Sequence, residues 1–176
     1  MSAPQGRPEP GEYAPYAAED IACVQGDDIV AALDALGERG AALFGSIGEA
    51  HASTYAYAPG KWTLKQILGH LIDDERIFVY RMLCVARGDP NPLPGFDEND
   101  YVRLGHFEAR SMADLLAEYR ATRAATLAFL RGLSPQAWLR RGTVNGYEAT
   151  VRGLAFHVAG HELHHHRVMA ARYAVD

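Results

Sequence analysis

The sequence predicts an all-α protein: an up-down four-helix bundle with a long Pro/Gly-rich loop between its second and third helices. Three observations carry this. Apolar residues recur at steps of three, four and seven along four long stretches, capping signals bracket those stretches, and no alternating apolar-polar series is present to supply a sheet. The 176 residues are 48% hydrophobic and 22% charged, and a chain of this length buries about 70% of its unfolded surface without disulfides. Residues 1–20, with Pro4, Pro8, Pro10 and Pro15, read as a flexible tail, and residues 21–176 as a single domain.

The first helix spans roughly 27 to 48, where Ile29, Leu33, Leu36, Leu43, Phe44 and Ile47 form one stripe. After the turn at Pro59-Gly60, Thr63 with Gln66 three residues on makes a capping box, and apolar positions from Leu64 to Val85 carry a second helix to about Ala86, before Gly88. Residues 88–105 open with GDPNPLPG and are too long for a plain connector, so they are expected to line a site. Ser111 with Asp114 starts a third helix that ends at Gly132. Ser134-Pro135 opens one short turn through Trp138, Asn145-Gly146 marks a tight turn, and the fourth helix runs from about Thr150 to Tyr173.

The bulk numbers exclude several functions. A formal charge of −5 gives no field for polyanions, so nucleic acid is not an expected partner. Cys23 and Cys84 have no CxxC spacing and read as buried free thiols of a cytoplasmic protein. No apolar run is long enough to span a membrane, and no signal peptide is visible.

Eight residues are histidine, and His157, His161, His164, His165 and His166 fall within one stretch of ten. At about 100° per residue, with His161 at zero, His165 lies at roughly +40°, His157 at −40° and His164 at −60°, whereas His166 lies near 140° and faces elsewhere. Leu154, Val158 and Val168 occupy the same sector, which places the histidines inside the apolar face. A buried imidazole needs partners, and an i, i+4 pair can direct two ring nitrogens at one ion. The third ligand is sought elsewhere, and His70 is the candidate, being the one other histidine well inside a helix. His51 and His106 fall at helix ends or in loops and are expected to be exposed. Asp74, one turn beyond His70, can orient a ligand or take a proton from bound water; Arg81 can hold an anionic group.

His161-Glu162-Leu163-His164-His165 also satisfies HExxH, the zinc-peptidase pattern in which the glutamate activates water. No third ligand follows it, and no strand series is present to hold a peptide. At roughly +100°, Glu162 points to a neighbouring helix more naturally than to the ion. The pattern as a whole, Trp62-Thr63-x-x-Gln66-x-x-x-His70-Leu71-x-x-x-Glu75, then Leu93-Pro94-Gly95-Phe96, then His157-x-x-x-His161-Glu162-x-x-His165, resembles the DinB-like family of metal-binding helical proteins over about residues 27–172.

That resemblance implies a four-helix bundle, usually a homodimer, with a divalent metal on His70, His161 and His165 and water completing its shell. It implies thiol-dependent transferase or isomerase chemistry with a low-molecular-weight thiol such as bacillithiol or mycothiol, on a small-molecule substrate. An open three-histidine site accepts zinc, nickel, iron or manganese and acidifies a bound thiol or water, so the expected activity is that of a metal-dependent transferase or hydrolase. The catalytic candidates are Asp74, Arg81 and Glu162, with Asp97, Asn99 and Tyr101 available to cover the pocket. A second class of reading is a dimeric module that binds metal without catalysis.

Overall fold

The computed structural model describes residues 6–173 and 175. Four long helices form a bundle: α2 (Ile29–Gly45), α4 (Leu64–Arg87), α6 (Met112–Arg131) and α8 (Val151–Tyr173), with the short helices α1 (Ala18–Ala22), α3 (Glu49–Thr54), α5 (Glu98–Gly105) and α7 (Pro135–Trp138) between them. Their starts follow the sequence signals. Asp28 caps α2, Thr63 and Gln66 close a reciprocal capping box on α4, Ser111 caps α6, and Gly88 ends α4 in the left-handed conformation. A two-stranded antiparallel hairpin, β1 (Arg141–Val144) and β2 (Tyr147–Thr150), turns at Asn145-Gly146, both at positive φ.

The bundle stands as expected, with a refinement of its connectivity. The strongly packed pairs are α2 with α6, α6 with α4, α4 with α8 and α8 with α2, so the chain-adjacent pairs α2/α4 and α6/α8 lie across the bundle from each other. One apolar cluster gathers the N-terminal halves of α2 and α8 with the C-terminal halves of α4 and α6, and a second gathers the opposite ends. Helices α4 and α6 are therefore parallel neighbours, and the order is up-down-down-up rather than simple up-down. Parallel neighbours require a return connection along the bundle, which is why residues 88–111 are so long.

That connection is not structureless. Asp97 accepts hydrogen bonds from the backbone of Asn99 and Asp100 and starts α5, which packs back on α4. Gly69 makes room for the Phe107 ring against α4, since a Cβ there would sit 2.3 Å from it. Leu93 bridges to the hairpin through Leu93 N to Thr143 O and Asn145 N to Leu93 O, both at 2.9 Å.

The flexible tail is a correction from Gly6 onward; residues 1–5 lie outside the described residues. Arg7 donates to the carbonyls of Val24 and Ile21 at 2.5 and 2.6 Å, and Ala17 and Ile21 are buried. Arg152 holds buried Glu12 through Nη2–Oε1 at 2.5 Å and Nε–Oε2 at 3.1 Å. The furrow that receives this segment is cut by Gly153 and Gly160 of α8, where a Cβ would meet backbone of Glu12 and Asp20 at 1.9 and 2.6 Å. Prolines suggested a loose end, but glycines 140 residues later dock it. The cysteines are free as expected, though half-buried rather than buried. Among the described residues no helix is long and apolar enough to cross a membrane.

Candidate metal centre

The polar residues of the long helices collect in one layer between the two apolar clusters, where α4 and α8 run side by side. His70 of α4 and His161 and His165 of α8 turn their Nε2 atoms to a common point: His161 Nε2 is 3.0 Å from His70 Nε2 and 3.2 Å from His165 Nε2. Donors at zinc–nitrogen distances in a tetrahedron stand roughly 3.3 Å apart. Among the described residues this is the one group of three or more metal-ligating side chains close enough to share an ion.

Their protonation suits that role. Burial pushes His70 down to about 4 and His165 to about 2, with charge on His161 adding to both. His161 goes the other way, because the Asp74 carboxylate, with Oδ2 3.2 Å from Nδ1, outweighs its burial. Asp74 is likewise opposed by burial, yet His161 draws it down to about 2. An ionised carboxylate on Nδ1 fixes the tautomer and aims Nε2 at the common point, an arrangement characteristic of histidines that bind metal. Two imidazoles held neutral by burial and a third turned to the same point by an anionic orienter fit a divalent cation of zinc-like preference.

The centre floors a cavity of 330 Å³. Trp62 covers one side, 4.8 Å from the His70 ring and stacked on His165 at 6.3 Å. His157, one turn before His161, lies flat on Phe78 at 4.3 Å, and burial lowers it to about 4. The Arg81 guanidinium lines the same cavity, 4.8 Å from the Phe78 ring and 5.6 Å from Phe96, with Nη2 donating to Pro94 O at 2.7 Å. A second cavity of 260 Å³ shares Trp62, His164 and His165 with the first.

Of the residues singled out in the sequence, the structure brings His70, His161, His165, Asp74 and Arg81 together. It does not bring Glu162, whose carboxylate is held by Tyr119 and Arg123 of α6, with Arg123 Nη2 at 2.5 Å. A glutamate so engaged is no base for water at the histidines. His166 faces Phe44 of α2, and half-exposed His164 is tied to Asp20 at 3.2 Å, so neither competes as a ligand. His51 and His106 are exposed. Of the loop candidates, Asp97 is spent on capping α5, Asn99 lines the second cavity, and Tyr101 packs edge-on against Phe96 at 5.0 Å. Sequence reasoning missed Tyr16 and Asp20 of the cavity wall because they fell in the supposed tail. Helical phase gave no role to Trp62, because it lies ahead of the Thr63 cap of α4, eight residues before His70.

Comparison with known proteins bears on the fold. YfiT from Bacillus subtilis, described as a probable metal-dependent hydrolase with an unusual four-helix bundle topology, superposes with a TM-score of 0.69 at 18% identity, covering 99% of this chain and 98% of that one. The mycothiol-dependent maleylpyruvate isomerase superposes with a TM-score of 0.64 at 14% identity over 86% of this chain; the alignment spans 59% of that longer chain. No curated protein matches the sequence. Residues 32–169, which run from the first turn of α2 to the last turns of α8 and hold all three histidines of the centre, match the model of one family, and the chain belongs to the DinB superfamily.

Proposed function

We propose that the protein is a metal-dependent S-transferase, in which His70, His161 and His165 hold a divalent transition metal and a low-molecular-weight thiol attacks a small electrophile carrying an anionic group. The observation that carries the reading is the convergence of three Nε2 atoms, two of them on strongly depressed imidazoles, at the floor of a cavity. When bound, the cation supplies Lewis acidity that lowers the pKa of a coordinated thiol or water. The protein's own residues do the rest. Asp74 holds His161 in the ligating tautomer, Trp62 shields His70 and His165 from water, and Arg81 offers a guanidinium between two aromatic rings to a carboxylate or phosphate.

Transfer is favoured over hydrolysis by the second cavity. Two chambers that share Trp62 and His165 give two reactants separate approaches to one centre, which hydrolysis does not need. The mycothiol dependence of the structurally similar isomerase fits the same class of co-substrate. The peptidase reading of HExxH finds no support, since the glutamate of the motif is engaged elsewhere.

The test is turnover by protein reconstituted with zinc, nickel, iron or manganese, against panels of thiols and electrophiles. Thiol-dependent product formation that is lost in His161→Ala supports the reading. In Arg81→Ala, KM for carboxylate-bearing electrophiles should rise about 10-fold or more at unchanged metal content, the worth of a hydrogen bond to a charged group. Turnover without thiol would replace transfer by hydrolysis, and metal binding without any turnover would leave a non-catalytic metal-binding module.

A further inference from the structure

Behind the histidines, on the side away from the cavity, lies a second buried polar group that the chemistry above does not use. Arg123 of α6 donates Nε and Nη2 to the two carboxylate oxygens of Glu75, both at 2.9 Å, Nη2 also to Glu162 Oε2 at 2.5 Å, and Nη1 to the Leu33 carbonyl at 2.7 Å. Tyr119 completes it with a hydrogen bond to the other oxygen of Glu162. The three charged residues are each at most 4% exposed. The group touches all four long helices and sits in the layer that separates the two apolar clusters.

Its placement relative to the centre is specific. Glu75 directly follows Asp74, and Glu162 directly follows His161. Successive helical residues point about 100° apart, so each carboxylate pins the rotation of the helix whose next face presents a residue of the centre. A turn of α4 or α8 that displaced His70 or His161 would break a bond to Arg123. Helix α2 makes way for the group with glycines: a Cβ at Gly37 would stand 2.9 Å from Arg123 Cγ, and one at Gly40 2.6 Å from Glu162 Oε1. Mid-helix glycine is unfavourable, and buried ion pairs give little net stability over apolar residues of the same shape, so stability alone is a poor account of this arrangement.

We propose that Arg123 is a positioning residue for the three-histidine centre, bridging Glu75 and Glu162 so that α4 and α8 present their ligands at the spacing a divalent cation requires. This rests on the metal-site reading above. It is tested in the full chain with Co²⁺ as probe, measuring affinity by competition with a chromogenic chelator and ligand geometry from the visible spectrum of the bound ion. Arg123→Met should bind Co²⁺ about 10- to 100-fold more weakly, the range for residues that orient ligands, with an altered spectrum. Arg123→Lys should restore part of the affinity. Glu75→Gln, which keeps the shape and removes one charge, should weaken binding several-fold and serves if Arg123→Met does not fold. The control is Arg152→Met, which breaks the half-buried pair of Arg152 with Glu12 and should keep wild-type affinity and spectrum while lowering thermal stability. Wild-type affinity and spectrum in Arg123→Met or Glu75→Gln, with only the thermal midpoint reduced, would overturn the positioning role alone. Failure of the wild-type chain itself to bind Co²⁺ would overturn the metal-site reading and the positioning role with it.

Discussion

His161 and Glu162 are consecutive residues of α8, both polar and both withdrawn from solvent, yet their surroundings differ in kind. Glu162 is met on each oxygen by a donor from α6, and its arginine partner is in turn shared with Glu75 and a backbone carbonyl. His161 meets only Asp74 on Nδ1, while its Nε2 faces two other imidazole nitrogens that cannot all be satisfied by one another. A saturated polar group explains itself as structure. A convergent group whose members lack donors and acceptors in the right number points to a ligand from outside.

The contrast can be broken by exchanging what each face loses. Glu162→Ala leaves Arg123 with an incomplete set of partners in the dry centre and should cost the metal-free protein about 3–5 kcal/mol, read from urea unfolding. His165→Ala, on the cavity face, should change the same measurement by no more than about 1 kcal/mol while abolishing metal binding, because it removes a desolvated imidazole with no complete partner set. Equal effects of the two substitutions on stability would erase the distinction drawn here.

Smaller, and confined to the cavity face, is the effect of Asp74→Asn. Loss of the carboxylate behind His161 should reduce metal affinity about 10- to 100-fold with the fold intact, measured by chelator competition. A separate effect is the pH response of the metal-free protein. His70 and His157 are held near 4, and His165 lower still, so the unfolded chain takes up more protons than the folded one as pH falls below the ordinary histidine value near 6.5. Stability should therefore decline from that pH toward about 4. His161, raised by Asp74, opposes this, since its contribution is present below its unfolded value and lost as pH rises through its folded one. Burial also lowers His166, so with four imidazoles against one the net slope is loss on acidification, and Asp74→Asn should steepen it. Unfolding curves at pH 7 and pH 5 measure both.

How much of this the sequence showed depended on the range over which each signal acts. Caps and apolar stripes are local, so Thr63, Ser111 and Gly88 marked the long helices closely. The i, i+4 pair His161/His165 and the lone helical His70 were also legible, because helical phase alone puts them on inward faces. Parallel packing of α4 and α6 was not, since a long connection is compatible with several returns. The docking of residues 7–24 escaped because its cause, Gly153 and Gly160, lies on a distant helix and reads there only as two unremarkable glycines. Arg123 escaped for a similar reason. A charged residue in α6 looks solvent-facing until Glu75, Glu162 and the glycines of α2 are brought around it.

The central claim is that three imidazoles from two helices hold one divalent metal, and X-ray absorption at the K edge of metal-loaded protein tests it most directly. The account predicts one metal per chain with three imidazole nitrogens at about 2.0–2.1 Å if the ion is zinc, and loss of one of them, or of the metal, in His70→Ala. A coordination shell unchanged by His70→Ala, or one that loses an oxygen ligand in Glu162→Gln, would contradict it.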